Sequence, residues 1–268
     1  MNYYIHPSKN RAAKEFMVMS SGLGGHANFW NPQIETFSQY FHILTYDQEG
    51  CHASAEYLID QYSMTNMAKQ VLNILDQENI EKFHFVGHAL GGHIGAELAT
   101  LIHEDEVLKN KTKLLSLTSI NAWDNLDPHT EKCFSARTAL LEYVGAEAYI
   151  QAQALFLYPP AWISKNIKQI ELAEQKQGLD FPPKHNVFAR LNALKKFKIE
   201  QKHIEALKDV KVHLIANQDD FLVPYQKTLD LYQTLGHGTY SILENGGHAS
   251  TVTEPEMMNQ AVINFLIH

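Results

Sequence analysis

The chain has 268 residues, a formal net charge of −8 and 45% hydrophobic residues, which fits a single α/β domain with ample core. The acidic balance, with no basic stripe, excludes nucleic acid as a partner, and no apolar run approaches the ~20 residues that cross a bilayer. The opening residues lack a basic start followed by an apolar core, and the two cysteines, Cys51 and Cys133, stand far apart, so a reducing, cytoplasmic setting is expected.

Taken in chain order, short apolar runs predict strands at 16–19, 42–46, 83–86, 114–120, 210–216 and 240–243. The first strand leads into Ser20-Ser21-Gly22-Leu23-Gly24-Gly25, a glycine-rich loop. Residues 63–79 predict a helix: Met64, Met67, Ala68, Val71, Leu72 and Leu75 fall on one face, with Ser63 as N-cap. Strand–helix alternation predicts a mostly parallel sheet covered on both faces, with functional residues at the carboxyl ends of its strands.

After the third strand the chain reads Gly87-His88-Ala89-Leu90-Gly91-Gly92. This is the setting of a nucleophile elbow, a sharp strand-to-helix turn of the form G-x-S-x-G, with Ala89 where the serine would stand. Gly87 and Gly91 occupy the positions where a side chain would collide across the turn. In such a site the Leu23 and Leu90 N–H groups form the oxyanion hole.

From about residue 124 to 205 the alternation stops and helical patterns rich in aromatics take over, which predicts a helical cap inserted before the acid-bearing strand. Only three arginines occur, and Arg137 and Arg190 fall in this stretch. Each is a candidate to grip a small carboxylate with its guanidinium fork, the alternative being an ion pair within the cap.

Beyond the cap, Asn217-Gln218-Asp219-Asp220 follows the fifth predicted strand. Asp220 is favoured as the acid of a triad and Asp219 is the competing candidate. Asn245-Gly246-Gly247-His248 follows the last strand, before a predicted helix at 254–266. Nucleophile position, acid and histidine thus come in the order of the α/β-hydrolases. No H-E-x-x-H or paired C-x-x-C spacing occurs among the fifteen histidines and two cysteines, so no metal and no cofactor are expected.

The loop at 21–25, Tyr46-Asp47-Gln48, the elbow, Asp220 to Pro224 and Gly247-His248 together resemble the α/β-hydrolase superfamily across nearly the whole chain. The Ala in the elbow, Asn121-Ala122-Trp123, Leu155 to Pro159 and Arg190 to Lys195 are similar to the pyrimidine-utilization protein D family of the bacterial Rut pathway. The resemblance implies a cofactor-free hydrolase of a very small C–N substrate, 3-aminoacrylate or carbamate, and a homodimer. It assigns Ala89 to the nucleophile position, Asp220 and His248 to acid and base, and Leu23 and Leu90 to the oxyanion amides; Gly22, His88, Trp123, Arg137 and Arg190 are the candidate substrate contacts. One stretch departs from the superfamily. Where Arg-Gly-x-Gly-x-Ser is usual, this chain has Glu49-Gly50-Cys51-His52-Ala53-Ser54.

Alanine forms no acyl-enzyme. The expectation is therefore that His248, oriented by Asp220, activates water directly, which suits a substrate already prone to break down. Two alternatives stay open: a non-catalytic small-molecule binding protein, and a serine hydrolase carrying a Ser→Ala change at 89.

Overall fold

The computed structural model describes residues 2–267. Its strands are β1 (Tyr3–His6), β2 (Phe16–Ser20), β3 (His42–Tyr46), β4 (Lys82–His88), β5 (Lys113–Ile120), β6 (Lys211–Asn217) and β7 (Thr239–Leu243). Its helices are α1 (Asn31–Phe37), α2 (Met64–Gln77), α3 (Leu90–Glu104), α4 (Glu106–Lys111), α5 (Pro128–Tyr143), α6 (Ala146–Leu157), α7 (Pro160–Leu179), α8 (Lys184–Lys196), α9 (Gln201–Leu207), α10 (Gln226–Leu235), α11 (Ser250–Thr253) and α12 (Pro255–Ile267).

The strands form one sheet in the order β1-β3-β2-β4-β5-β6-β7. All neighbours run parallel except β1, which pairs antiparallel to β3. This is the α/β-hydrolase fold that the sequence predicts. The edge strand β1 is the element that the apolar pattern does not announce. It is half-exposed, with Tyr4 and Ile5 facing solvent, so burial leaves no alternation in its sequence.

Period-two alternation along the central strands divides the core between the two sheet faces. Val18, Leu44, Phe83, Phe85, Leu117 and Leu214 pack on one side, against α2 and α3 among others. Met17, Met19, Ile43, Val86, Ile120 and Ile215 pack on the other, against Trp30, Phe37, Met258 and Val262. Helix α2 begins as predicted at Ser63, whose backbone N–H donates to Asn66 Oδ1 (3.0 Å) while its own hydroxyl accepts the Asn66 N–H, a reciprocal capping box. Ile74 is fully buried on its inner face and Leu72 only half-buried.

Five helices, α5 to α9, separate β5 from β6, where no strand is predicted. Residues of α5, α6, α7 and α8 reach over the strand ends, whereas α9 packs on α3 through His203 and Glu97, 3.0 Å apart. No helix among the described residues is long and apolar enough to cross a membrane.

Candidate active site

The turn from β4 into α3 is tight. Ala89 stands at φ 47°, ψ −109°, its N–H bonded to the Ile120 carbonyl at 2.7 Å. A β-carbon at Gly87 would lie 2.3 Å from the Gly91 backbone, and one at Gly91 would lie 2.0 Å from the Ser20 carbonyl oxygen. Both distances are far inside contact, so glycine is required where the helix start presses on β4 and β2. Leu90 is the first residue of α3, where an N–H has no partner within the helix. Among the described residues no acceptor takes the Leu90 or the Leu23 N–H.

His248 follows β7 and Asp220 follows β6, side by side at the carboxyl edge of the sheet. His248 Nδ1 lies 2.8 Å from Asp220 Oδ2, and both side chains are buried. The other Asp220 oxygen accepts the N–H groups of Leu222 (2.8 Å) and Val223 (2.9 Å). Asp219 turns away and accepts the N–H groups of Gly246 (3.1 Å) and Gly247 (2.8 Å). The competition between the two aspartates is thus resolved by geometry: Asp220 meets the imidazole and Asp219 holds the loop that carries it.

The backbone of His248 is fixed as well. Its carbonyl accepts from His88 Nε2 (2.7 Å) and from the Asn121 side-chain amide (2.7 Å). Because His88 Nε2 carries the proton, its Nδ1 is a lone-pair acceptor, and it is buried without a partner. Burial above all, then the neighbouring His248, holds the His88 imidazole down to about 3, so it stays neutral. A β-carbon on Gly22 would stand 2.9 Å from that Nδ1, so glycine keeps it reachable.

These groups share one cavity of about 410 Å³. Gly22, Leu23, His88, Ala89, Leu90, Trp123, Arg137 and His248 all line it. The walls are mostly apolar, with Phe29, Phe134, Leu157, Leu194 and Leu222 contributing, as small-molecule sites usually are. Buried polar atoms on lining residues lack protein partners: Trp123 Nε1, Arg137 Nε and Gln153 Nε2 as donors, His88 Nδ1 as acceptor, and the Ser21 hydroxyl, which can be either.

Arg137 is 5% exposed. Its guanidinium donates to the Tyr149 hydroxyl (3.2 Å) and lies over the Tyr149 and Phe156 rings at 5.1 and 5.9 Å. Among the described residues no carboxylate pairs with it.

A family model for the alpha/beta hydrolase fold matches residues 16–255. A RutD protein of Acinetobacter baylyi is 52% identical over 99% of this chain and 98% of its own length. The chain belongs to the α/β-hydrolase family, on its RutD branch. A second RutD protein, from Agrobacterium fabrum, is 38% identical over 100% of this chain and 98% of its own. Both relatives carry names that propose carbamate hydrolysis for them. Among solved structures, the enol-lactonase from Burkholderia xenovorans matches with a TM-score of 0.83 at 18% identity, covering 100% of this chain and 96% of that one. A hydrolase from Pseudomonas aeruginosa matches at 0.81 and 19%, covering 99% and 94%. At these identities the two structures bear on the fold alone.

One expected contact falls outside the cavity. Arg190, on α8, points into the protein, where its guanidinium donates to the Gln48 side-chain oxygen and crowds Gly25 from behind. It is 2% exposed and is not among the residues that line the cavity. Its guanidinium thus serves a loop of the protein itself, through Gln48, and not a substrate carboxylate in the cavity. Cys51 is likewise buried, and burial pushes its thiol up to about 12, so it is no nucleophile on its own. Ser20 is engaged with the Tyr46 hydroxyl at 2.8 Å. Sequence reasoning missed Asn121 as a support of the His248 backbone. Its positive φ of 52° has no signature in a single sequence.

Proposed function

We propose that this protein hydrolyses a small anionic C–N substrate, 3-aminoacrylate or carbamate, by direct attack of water and without a covalent intermediate. The observation that carries the reading is a buried guanidinium with no carboxylate partner, Arg137, on the same cavity as His248, which Asp220 braces and whose elbow carries alanine at position 89. A buried cation without a counterion is costly unless a ligand supplies the charge, and both substrates carry a carboxylate.

In this mechanism Asp220 holds the His248 Nδ1 proton, leaving the Nε2 lone pair to take a proton from water as the oxygen attacks the carbon bearing nitrogen. The same proton then passes to the departing amine. Carbamate gives ammonia and bicarbonate. Aminoacrylate takes a proton from solvent at its α-carbon, the resulting iminium adds water, and ammonia leaves as the hydroxyl proton returns to solvent, giving 3-oxopropanoate. In the carbamate reaction, charge gathering on oxygen is met by the Leu23 and Leu90 N–H groups, each worth about 3 kcal/mol in comparable sites. Positioned general-base help contributes ~10²–10⁴-fold. Such factors suit a labile enamine or carbamate and would not cleave a stable amide.

The test is ammonia release from freshly generated aminoacrylate and from carbamate, with protein and with buffer alone. A catalysed rate that falls in His248→Ala supports the reading, and equal rates in that variant refute it. The cavity volume favours a second reading. About 410 Å³ lies within the ~300–1,000 Å³ of pockets for drug-sized ligands, so the site has room to hold a larger anion without turning it over. That reading predicts saturable ligand uptake with turnover equal to buffer.

A further inference from the structure

Between the glycine-rich loop after β2 and the loop after β3, four side chains of three ligand types converge: His26, Asp47, Cys51 and His52. One ligand atom from each lies within 4.8 Å of the others. Two of the spacings bear directly on coordination. His52 Nε2 is 3.1 Å from Asp47 Oδ2, and Cys51 Sγ is 3.9 Å from His26 Nδ1. Ligands arranged tetrahedrally around zinc are separated by roughly 3.3–3.8 Å, given bonds of 2.0–2.3 Å. A shift of a few tenths of an ångström brings both pairs to that spacing.

The surrounding carboxylates fit the same reading. His52 Nδ1 stands 2.6 Å from Asp180 Oδ2, and a carboxylate only accepts, so Nδ1 carries a proton. Nε2 stands 3.1 Å from Asp47 Oδ2 and is buried with no hydrogen-bond partner. A divalent ion at Nε2 would take the place of the second ring proton that otherwise lets the imidazole bridge the two carboxylates. The Asp180–His52 contact is the carboxylate–histidine arrangement that orients a metal-bound imidazole from behind. Asp47 is held in the same way, its other oxygen accepting the Ala27 N–H at 2.8 Å.

We infer that His52 Nε2, Asp47, Cys51 and His26 form a binding site for a zinc-like divalent ion, with Asp180 as the positioning residue behind His52. The site has no linear motif because its ligands come from two separate loops. Cys51 and His52 stand in the stretch that departs from the usual superfamily pattern. A bound ion deprotonates the coordinating thiol outright, so Cys51 and Asp47 together balance its two charges. The ion would clasp the loop carrying Leu23 to the β3 loop and, through Asp180, to the end of α7. It lies in the wall of the cavity, which His26 and Asp180 also line, and takes no part in the proposed hydrolysis.

The test uses the full chain, stripped with chelator and titrated with Co²⁺ and then Zn²⁺. One equivalent of Co²⁺ should give tetrahedral ligand-field bands and a thiolate-to-metal charge-transfer band, displaced by Zn²⁺. The charge-transfer band should vanish in Cys51→Ser and persist in Cys133→Ser, which removes the other thiol, near His129. Asp180→Asn should weaken Zn²⁺ binding roughly 10–100-fold, and Zn²⁺ should raise the thermal midpoint of the native chain but not of Cys51→Ser. Circular dichroism verifies that each variant is folded. No charge-transfer band in the native chain, or a band that survives Cys51→Ser, overturns the inference; the arrangement is then an imidazolium bridging two carboxylates. These readouts do not depend on turnover, so they stand or fall apart from the proposed hydrolysis.

Discussion

Replacing Asp220 with asparagine is the sharpest probe of the His248 pair, because the local hydrogen bonds decide which way the new amide must face. Asp220 Oδ1 accepts two backbone N–H groups, from Leu222 and Val223, and Oδ2 faces His248 Nδ1. In Asp220→Asn the amide oxygen keeps the two N–H donors. The reverse orientation would set the amide NH₂ against both and leave two buried donors unpaired, at ~1–3 kcal/mol each. The NH₂ group therefore points at Nδ1. Nδ1 must accept, the ring proton moves to Nε2, and the lone pair needed to activate water is gone.

The expected loss is the whole general-base contribution, ~10²–10⁴-fold, equivalent to ~3–5 kcal/mol of barrier. The shape and buried volume hardly change, so the variant should fold. The assay is the initial rate of ammonia release above buffer, with circular dichroism and thermal unfolding alongside. Asp219→Ala is the control. It strips the acceptor from the Gly246 and Gly247 N–H groups, and should cost ~1–2 kcal/mol of stability while the rate falls less than in Asp220→Asn. Native turnover in Asp220→Asn, or a larger rate loss in Asp219→Ala, refutes the reasoning.

Arg137→Met should raise KM roughly tenfold or more, the value of a charge-assisted contact. The thermal midpoint should hold or rise, since a buried cation without a carboxylate gives way to an apolar chain; a large fall in the midpoint with KM unchanged would make the arginine structural. Gly91→Ala places a β-carbon 2.0 Å from the Ser20 carbonyl oxygen and should cost ~3 kcal/mol or more, read from denaturant unfolding; a loss within 1 kcal/mol contradicts the tight elbow. His88, His93 and His213 are held down by burial to about 3, 4 and 4. The unfolded chain therefore binds protons below about pH 6.5 that the folded chain refuses, and stability should fall with acidification by up to roughly 4 kcal/mol per pH unit near pH 5. Unfolding free energies at pH 7, 6 and 5 check this, and a flat profile defeats it. Ala89→Ser should yield a burst with an activated ester and an acyl adduct by mass spectrometry, as expected if His248 Nε2 is oriented towards position 89.

Much of the fold was legible because burial writes itself into sequence as period. Strands with both faces covered read as unbroken apolar runs, and α2 as a stripe capped by Ser63. β1 was illegible because a half-exposed edge strand, with Tyr4 and Ile5 open to solvent, carries no such pattern. In the site, the order of Ala89, Asp220 and His248 was readable because chain order and strand ends locate them. What escaped was direction. Arg137 and Arg190 look alike in sequence, and only packing turns one into the cavity and the other onto Gln48. The convergence of His26 with Asp47, Cys51 and His52 also escaped, since contact between loops after two adjacent strands leaves no spacing to find.

The elbow explains why losing one oxygen need not end the chemistry. Ala89 holds a backbone conformation that costs a non-glycine residue of order 1–3 kcal/mol, and nothing in its methyl group repays that. The strain is sustained by the surroundings: the bond to Ile120, and glycines at 87 and 91 that let α3 close onto β2 and β4. What the turn delivers is therefore set by the backbone, and it comprises the Leu90 N–H at the head of α3. His248 and Asp220 are fixed by contacts to other loops and to Asn121 and His88. On the proposed mechanism, a methyl in place of a hydroxymethyl removes the covalent step and leaves these groups to act on water. Under that proposal the chemistry open to the site is direct attack of water on a labile C–N substrate, and a stable amide stays out of its reach.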